Sequence, residues 1–102
     1  MIESAKLNLW NQHTVALVQA SLGAISTNFR MVSLALDNDV WKLQFVLENE
    51  AIDDLDEIND IATEFEVQTD FRVRYSVEVK IASDVIPWPS APTRVIFRRK
   101  ET

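Results

Sequence analysis

The chain has 102 residues and a net charge of −6 at pH 7, with 47% apolar and 25% charged residues, one glycine and no cysteine. That length suits a single domain over 1–102, with enough apolar material for one core. The absent cysteines exclude disulfides, thiolate catalysis and Cys-based metal sites. No apolar run approaches the roughly 18 residues of a membrane span, and the acidic balance argues against nucleic acid as a direct partner.

The first ten residues, MIESAKLNLW, lack a basic segment followed by an apolar run, so no signal peptide is expected and the predicted location is cytoplasmic. Residues 5–22 read as a helix, with Leu7, Trp10, Leu17 and Val18 on one face. Ser4 or Asn8 would cap its start. Gly23 would end it, because glycine adopts a left-handed backbone without steric cost. His13 is the only histidine. With no partner in the neighbouring sequence it reads as a surface or boundary residue.

Residues 29–36 and 40–48 form a predicted hairpin about Asp37-Asn38-Asp39, residue types that tolerate positive φ. The second strand alternates Trp41, Leu43, Phe45 and Leu47 with Lys42, Gln44 and Glu48. A helix follows over 48–66, with Asn49 its expected cap. Ala51, Ile52, Leu55, Ile58, Ile61, Ala62 and Phe65 recur at helical spacing and fix one apolar face. The same segment carries nine carboxylates and no base. At about 100° per residue, Asp53, Glu57, Asp60 and Glu64 fall in one stripe on the opposite side, flanked by Glu50 and Asp56.

Residues 71–81 alternate Phe71, Val73, Tyr75, Val77, Val79 and Ile81 with polar residues, the mark of a strand with one wet face. Arg72, Arg74 and Lys80 on that face are read as neutralising nearby carboxylates. Residues 82–93 read as a loop stiffened by Pro87, Pro89 and Pro92. Trp88 within it either folds back on the core or serves as an aromatic contact residue. Residues 94–99 close the chain as a strand, expected beside 71–81, and Arg98-Arg99-Lys100 reads as a solubilising tail.

The order α-β-β-α-β-β predicts an α+β two-layer sandwich: two helices on one face of a mostly antiparallel four-stranded sheet. The segment 40–48, helix, 71–81 would be a right-handed crossover. The last strand either inserts within it, giving a permuted ferredoxin-like topology, or lies at the edge in sequential order.

The acidic stripe carries the functional reading. Like charges at 53/56, 53/57, 56/60, 57/60 and 60/64 oppose the helix by ~0.2–0.5 kcal/mol each, or ~1–2.5 kcal/mol together. A small domain that tolerates this cost presents the field for use against a basic partner. A calcium loop at Asp53-Asp54-Leu55-Asp56 is rejected, because the sixth position is not glycine and the third is apolar. No metal, cofactor or catalytic constellation emerges, so the expectation is a binding protein and not an enzyme.

The layout as a whole is similar to that of small bacterial immunity proteins of contact-dependent growth-inhibition or related polymorphic toxin systems. The segments that carry the likeness are the short helix, the hairpin NFRMVSLALDNDVWKLQFVLE, the acidic helix, the alternating strand, the proline loop and the closing RVIFRRKE. The resemblance implies a cytoplasmic protein that binds the toxin domain of its own system, often a basic nuclease; the expected action is occlusion of that domain by a monomer or weak dimer. The charge pattern nominates Glu50, Asp53, Asp56, Glu57, Asp60, Glu64 and Trp88 as contact residues. The alternative is a small acidic secretion or assembly chaperone that holds an extended client.

Overall fold

The structure, a computed structural model, describes residues 2–101; Met1 and Thr102, the ends of the expected domain, lie outside the described residues. The elements are α1 (Ile2–Ser21), β1 (Phe29–Asp37), β2 (Val40–Leu47), α2 (Ile52–Gln68), β3 (Tyr75–Ile81) and β4 (Arg94–Arg98). The α-β-β-α-β-β order is as expected, and both helices pack on one face of a four-stranded sheet.

The sheet itself corrects the expectation of a mostly antiparallel arrangement. Its strand order is β3-β2-β1-β4, and it is mixed. β1 pairs antiparallel with both β2 and β4, whereas β2 and β3 run parallel through α2. The last strand therefore does not neighbour β3, and neither expected topology holds. The loop 82–93 decides this. It leaves β3 at one edge and crosses the face away from the helices, so that β4 adds beside β1 at the other edge. Ile86 is buried on the way, against Met31 and Val46.

The hairpin turn is built from Asn38 and Asp39, with φ of 50° and 64°. Two consecutive positive φ values match the right-handed twist of the flanking strands. Its strands then place Phe29, Val32 and Leu34 opposite Leu47, Phe45 and Leu43 on the helix side. Phe29, Phe45 and Phe65 are fully buried there with Leu17, Ile58 and Ile61. Burying one such side chain is worth about 1.5–3 kcal/mol, so this face fixes the hairpin register.

β1 has an extra residue at Arg30, where the pairing shifts between Phe29 and Met31. A bulge of this kind turns two successive side chains to one side. Arg30 thus joins Met31 on the outer face, buried beneath the loop. Its Nη1 donates to the carbonyls of Ala82 and Asp84, both at 2.6 Å, and its Nε and Nη2 donate to Glu101. Arg98 lies on the same face and donates from Nη2 to the Ile86 carbonyl. Arg99 pairs with Glu48 and Glu101. Arg98 and Arg99 are thus fastenings for the loop and the C-terminal segment, not a free tail.

α1 differs from expectation in its buried face. Trp10, His13, Ala16, Leu17 and Ala20 are buried, while Leu7 and Val18 are exposed. His13 is therefore a core residue. Its ring stacks on Trp41 at 4.4 Å and 5°, and Nδ1 meets the Leu9 carbonyl. Trp10 packs edge-on against the same indole at 4.8 Å. Gly23 follows the helix at φ 79°, as its position suggested.

The strand expected to begin at 71 begins at Tyr75, because Asp70 and Phe71 take positive φ and turn the chain after α2. Phe71 is exposed, and Arg72 and Arg74 lie outside the strand.

Candidate functional site

α2 starts without the expected cap. The residue at its N-cap position is Ala51, which provides no side-chain bond, and Asn49 is engaged elsewhere. Asn28 donates from Nδ2 to the Asn49 carbonyl and accepts from the Asn49 N–H through Oδ1. The start of the helix is held instead by Asp54 in its first turn. This buried carboxylate accepts from Ser26 Oγ and Asn28 Nδ2, both at 2.8 Å. Negative charge at this end is also favoured by the helix dipole. One aspartate of the acidic run is thus structural, a role that no local spacing revealed because its partners lie 26 and 28 residues upstream.

The other end is held by Tyr75. Its hydroxyl donates to Glu66 Oε1, which pushes the phenol up to about 12. Phe65 meets the Tyr75 ring edge-on at 5.8 Å. Ile58, Ile61, Ala62 and Phe65 are buried between these ends.

This anchoring sets the direction of the stripe. On a wheel of about 100° per residue, Glu66 lies on the flank that faces β3. Asp53, Glu57, Asp60 and Glu64 lie on the opposite flank, and Asp56 points outward. All five are exposed, as is Glu50 in the connection before the helix. Among the described residues none of the six forms an ion pair with a base; Glu64 accepts only from Gln68, at 3.2 Å. Gln68 borders a cleft with Asn11, Gln12 and Val15 of α1, so the stripe runs beside a helix flank that carries no charge.

Six of the ten bases are engaged away from α2. Arg30 and Arg99 share Glu101, Arg99 also reaches Glu48, Lys42 pairs with Glu78, and Arg72 lies near Asp70. Arg94 is drawn to α1, over the Trp10 ring at 5.3 Å and bonded to Asn11. Glu101 between its two guanidiniums is held well below the usual carboxylate range, at about 2. None of these pairings draws on the carboxylates of the stripe.

Trp88 lies apart from this surface. It is 67% exposed, with the Arg98 guanidinium 4.8 Å from its ring. The loop that carries it packs on the outer face of the sheet, so the whole sheet and the helix layer separate it from the stripe. The structure brings the five carboxylates of α2 to the side away from the loop and leaves Trp88 on the other. A cleft of about 520 Å³ is a third place, lined by His13, Trp41, Asp70, Arg72 and Arg74 among others. Among the described residues no three metal-ligating side chains converge, and no helix is long and apolar enough to cross a membrane.

Comparison with protein-family models places the chain among the small bacterial immunity proteins of polymorphic toxin systems. It belongs to the MafI2 immunity protein family, whose model matches residues 11–101. The match covers both strands of the hairpin, α2, β3 and β4, and all of α1 from Asn11 onward. No curated protein matches the chain. Membership gives the protein a toxin-neutralising role and a cognate toxin as its partner.

Proposed function

We propose that this immunity protein occludes a basic, nuclease-type toxin domain with the acidic flank of α2. The observation that supports this most is the set of exposed carboxylates Asp53, Asp56, Glu57, Asp60 and Glu64, unpaired with any base among the described residues, on a helix held rigidly by its buried face. Such a surface matches the Lys and Arg with which a nuclease grips phosphates, and Glu50 extends it toward the N-terminus of α2. Binding would cover those bases without turnover. The protein would act in the cytoplasm of the cell that makes the toxin, within a contact-dependent growth-inhibition or related system.

The field of the stripe would act chiefly on encounter. Electrostatic steering raises association rates by about 10–10³-fold and weakens steeply with salt. Affinity would come from a few desolvated side chains at the centre of the contact. Trp88 could supply one only to a toxin that wraps around the sheet edge, given its place on the outer face.

The test is stopped-flow association with the cognate toxin domain. The variant Asp53→Lys, Glu57→Lys, Asp60→Lys should associate about tenfold more slowly or worse at low salt. The gap should close as salt is raised. Trp88→Ala should leave the association rate unchanged and alter dissociation only if the toxin reaches the outer face. An unchanged association rate for the triple variant would place the contact elsewhere.

A further inference from the structure

The two edges of the sheet are protected unequally. β4 is five residues long, follows Pro92, carries Arg94 and Arg98, and breaks its pairing with β1 between Val32 and Ser33. Short length, a bulge and charge are the usual means of keeping an edge from pairing with another chain. β3 carries charge at Glu78 and Lys80, of opposite sign, but is neither as short nor bulged. It runs seven residues without proline, and its register with β2 is unbroken from Tyr75 to Ile81.

Its backbone direction follows from two hydrogen bonds at its ends. The Trp41 N–H donates to the Arg74 carbonyl and the Ala82 N–H donates to the Leu47 carbonyl, both at 2.9 Å. In a parallel ladder, alternate residues of a strand face the neighbour. Ser76, Glu78 and Lys80 therefore turn their N–H and C=O groups toward β2. Val77, Val79 and Ile81 turn theirs outward, to the open edge. The side chains of these same three residues lie on the helix side of the sheet and remain 37%, 39% and 45% exposed.

We propose that a second copy of this chain pairs at this edge, β3 against β3, antiparallel about a two-fold axis at Val79. Two-fold symmetry allows few registers, and charge chooses among them. An axis at Glu78 sets Glu78 against its own copy, and an axis at Lys80 does the same for lysine. An axis at Val77 sets Arg74 against Lys80. Like charges directly opposite one another destabilise a pair of strands. The axis at Val79 sets Glu78 against Lys80 of the second copy, twice. It also sets Val79 against Val79 and Val77 against Ile81, again twice. All three outward residues of each copy then find backbone partners, and the two sheets become one.

This inference does not rest on the toxin-binding reading. The acidic flank of α2 points away from β3, so each copy keeps it open in the dimer.

Sedimentation of the full chain over a concentration series tests it. The expected result is a monomer–dimer equilibrium. Lys80→Glu should weaken it about tenfold or more, since two attractive pairs become repulsive. An equimolar mixture of Lys80→Glu with Glu78→Lys should recover the dimer, because every glutamate then faces a lysine. Glu78→Lys also loses the Lys42 pair, so Val79→Pro provides a second route. Its missing N–H faces outward, which leaves the ladder with β2 whole. It should be monomeric with an unchanged circular dichroism spectrum. A chain that stays monomeric at every concentration overturns the proposal and leaves the edge to an extended segment of another protein. A dimer indifferent to Lys80→Glu and Val79→Pro overturns it as well.

Discussion

Asp53 and Asp54 are neighbours in one acidic run, and the structure places them oppositely, Asp53 exposed and Asp54 buried. Replacing Asp54 by alanine removes a buried acceptor that holds Ser26 and Asn28 at 2.8 Å. Hydrogen bonds to a charged group are worth about 1.5–3 kcal/mol each. Ser26 and Asn28 are only half-buried, so water partly replaces the lost partner, and the pair together should cost ~2–3 kcal/mol. The lost charge at the helix N-terminus adds ~0.3–1 kcal/mol. A total near ~3 kcal/mol should lower the thermal midpoint by about 12–24 °C in a domain of this size. Asp53→Ala should change stability by no more than ~0.5 kcal/mol, as an exposed substitution does. Urea denaturation of the two variants and the wild type measures both effects. Association with the toxin should rank them the other way: at low salt Asp53→Ala slows it, and Asp54→Ala, where folded, leaves it near wild type. If Asp54→Ala proved no more costly than Asp53→Ala, the tie from α2 to the segment before β1 would not hold the helix start, and the direction assigned to the stripe would lose its support.

Two further outcomes follow from ionisation. The Tyr75 phenol is raised to about 12 by its bond to Glu66, so the folded state holds that proton more tightly than the unfolded one. The stability it contributes is complete below pH ~10 and is lost as pH rises from about 10 to about 12. Since Tyr75 is the only tyrosine, phenolate absorbance reads it directly, and Glu66→Gln should bring the transition down toward the ordinary value. Glu101 moves in the other direction, to about 2. The stability from its bonds to Arg30 and Arg99 is present above the ordinary carboxylate value and is lost as pH falls from about 4.5 to about 2. Glu101→Gln should flatten acid unfolding across that window. Limited proteolysis should then cut the loop 82–86 faster, because Arg30 holds both the Ala82 and Asp84 carbonyls and Glu101 orients Arg30.

Local pattern determined much of the structure. The alternation of Trp41, Leu43, Phe45 and Leu47 and the Asn38-Asp39 turn define the hairpin, because side-chain period and positive-φ tolerance are properties of a few adjacent residues. The apolar spacing of Ile58, Ile61 and Phe65 likewise fixes α2 and turns most of its carboxylates to the surface. The order of elements, their α+β class and the exposure of Glu50, Asp53, Asp56, Glu57, Asp60 and Glu64 were all legible at that level. The tertiary structure alone decided which strands are neighbours. β4 pairs with β1 because the loop 82–93 can bury Ile86 against Met31 and Val46 while Arg30 and Arg98 hold its carbonyls, and those partners are far apart in sequence. The same reason put His13 in the core against Trp41, removed Asp54 from the charged surface, and separated Trp88 from the carboxylates. Periodicity reports which side of an element is buried; what lies against that side depends on contacts that close only when the whole chain has folded.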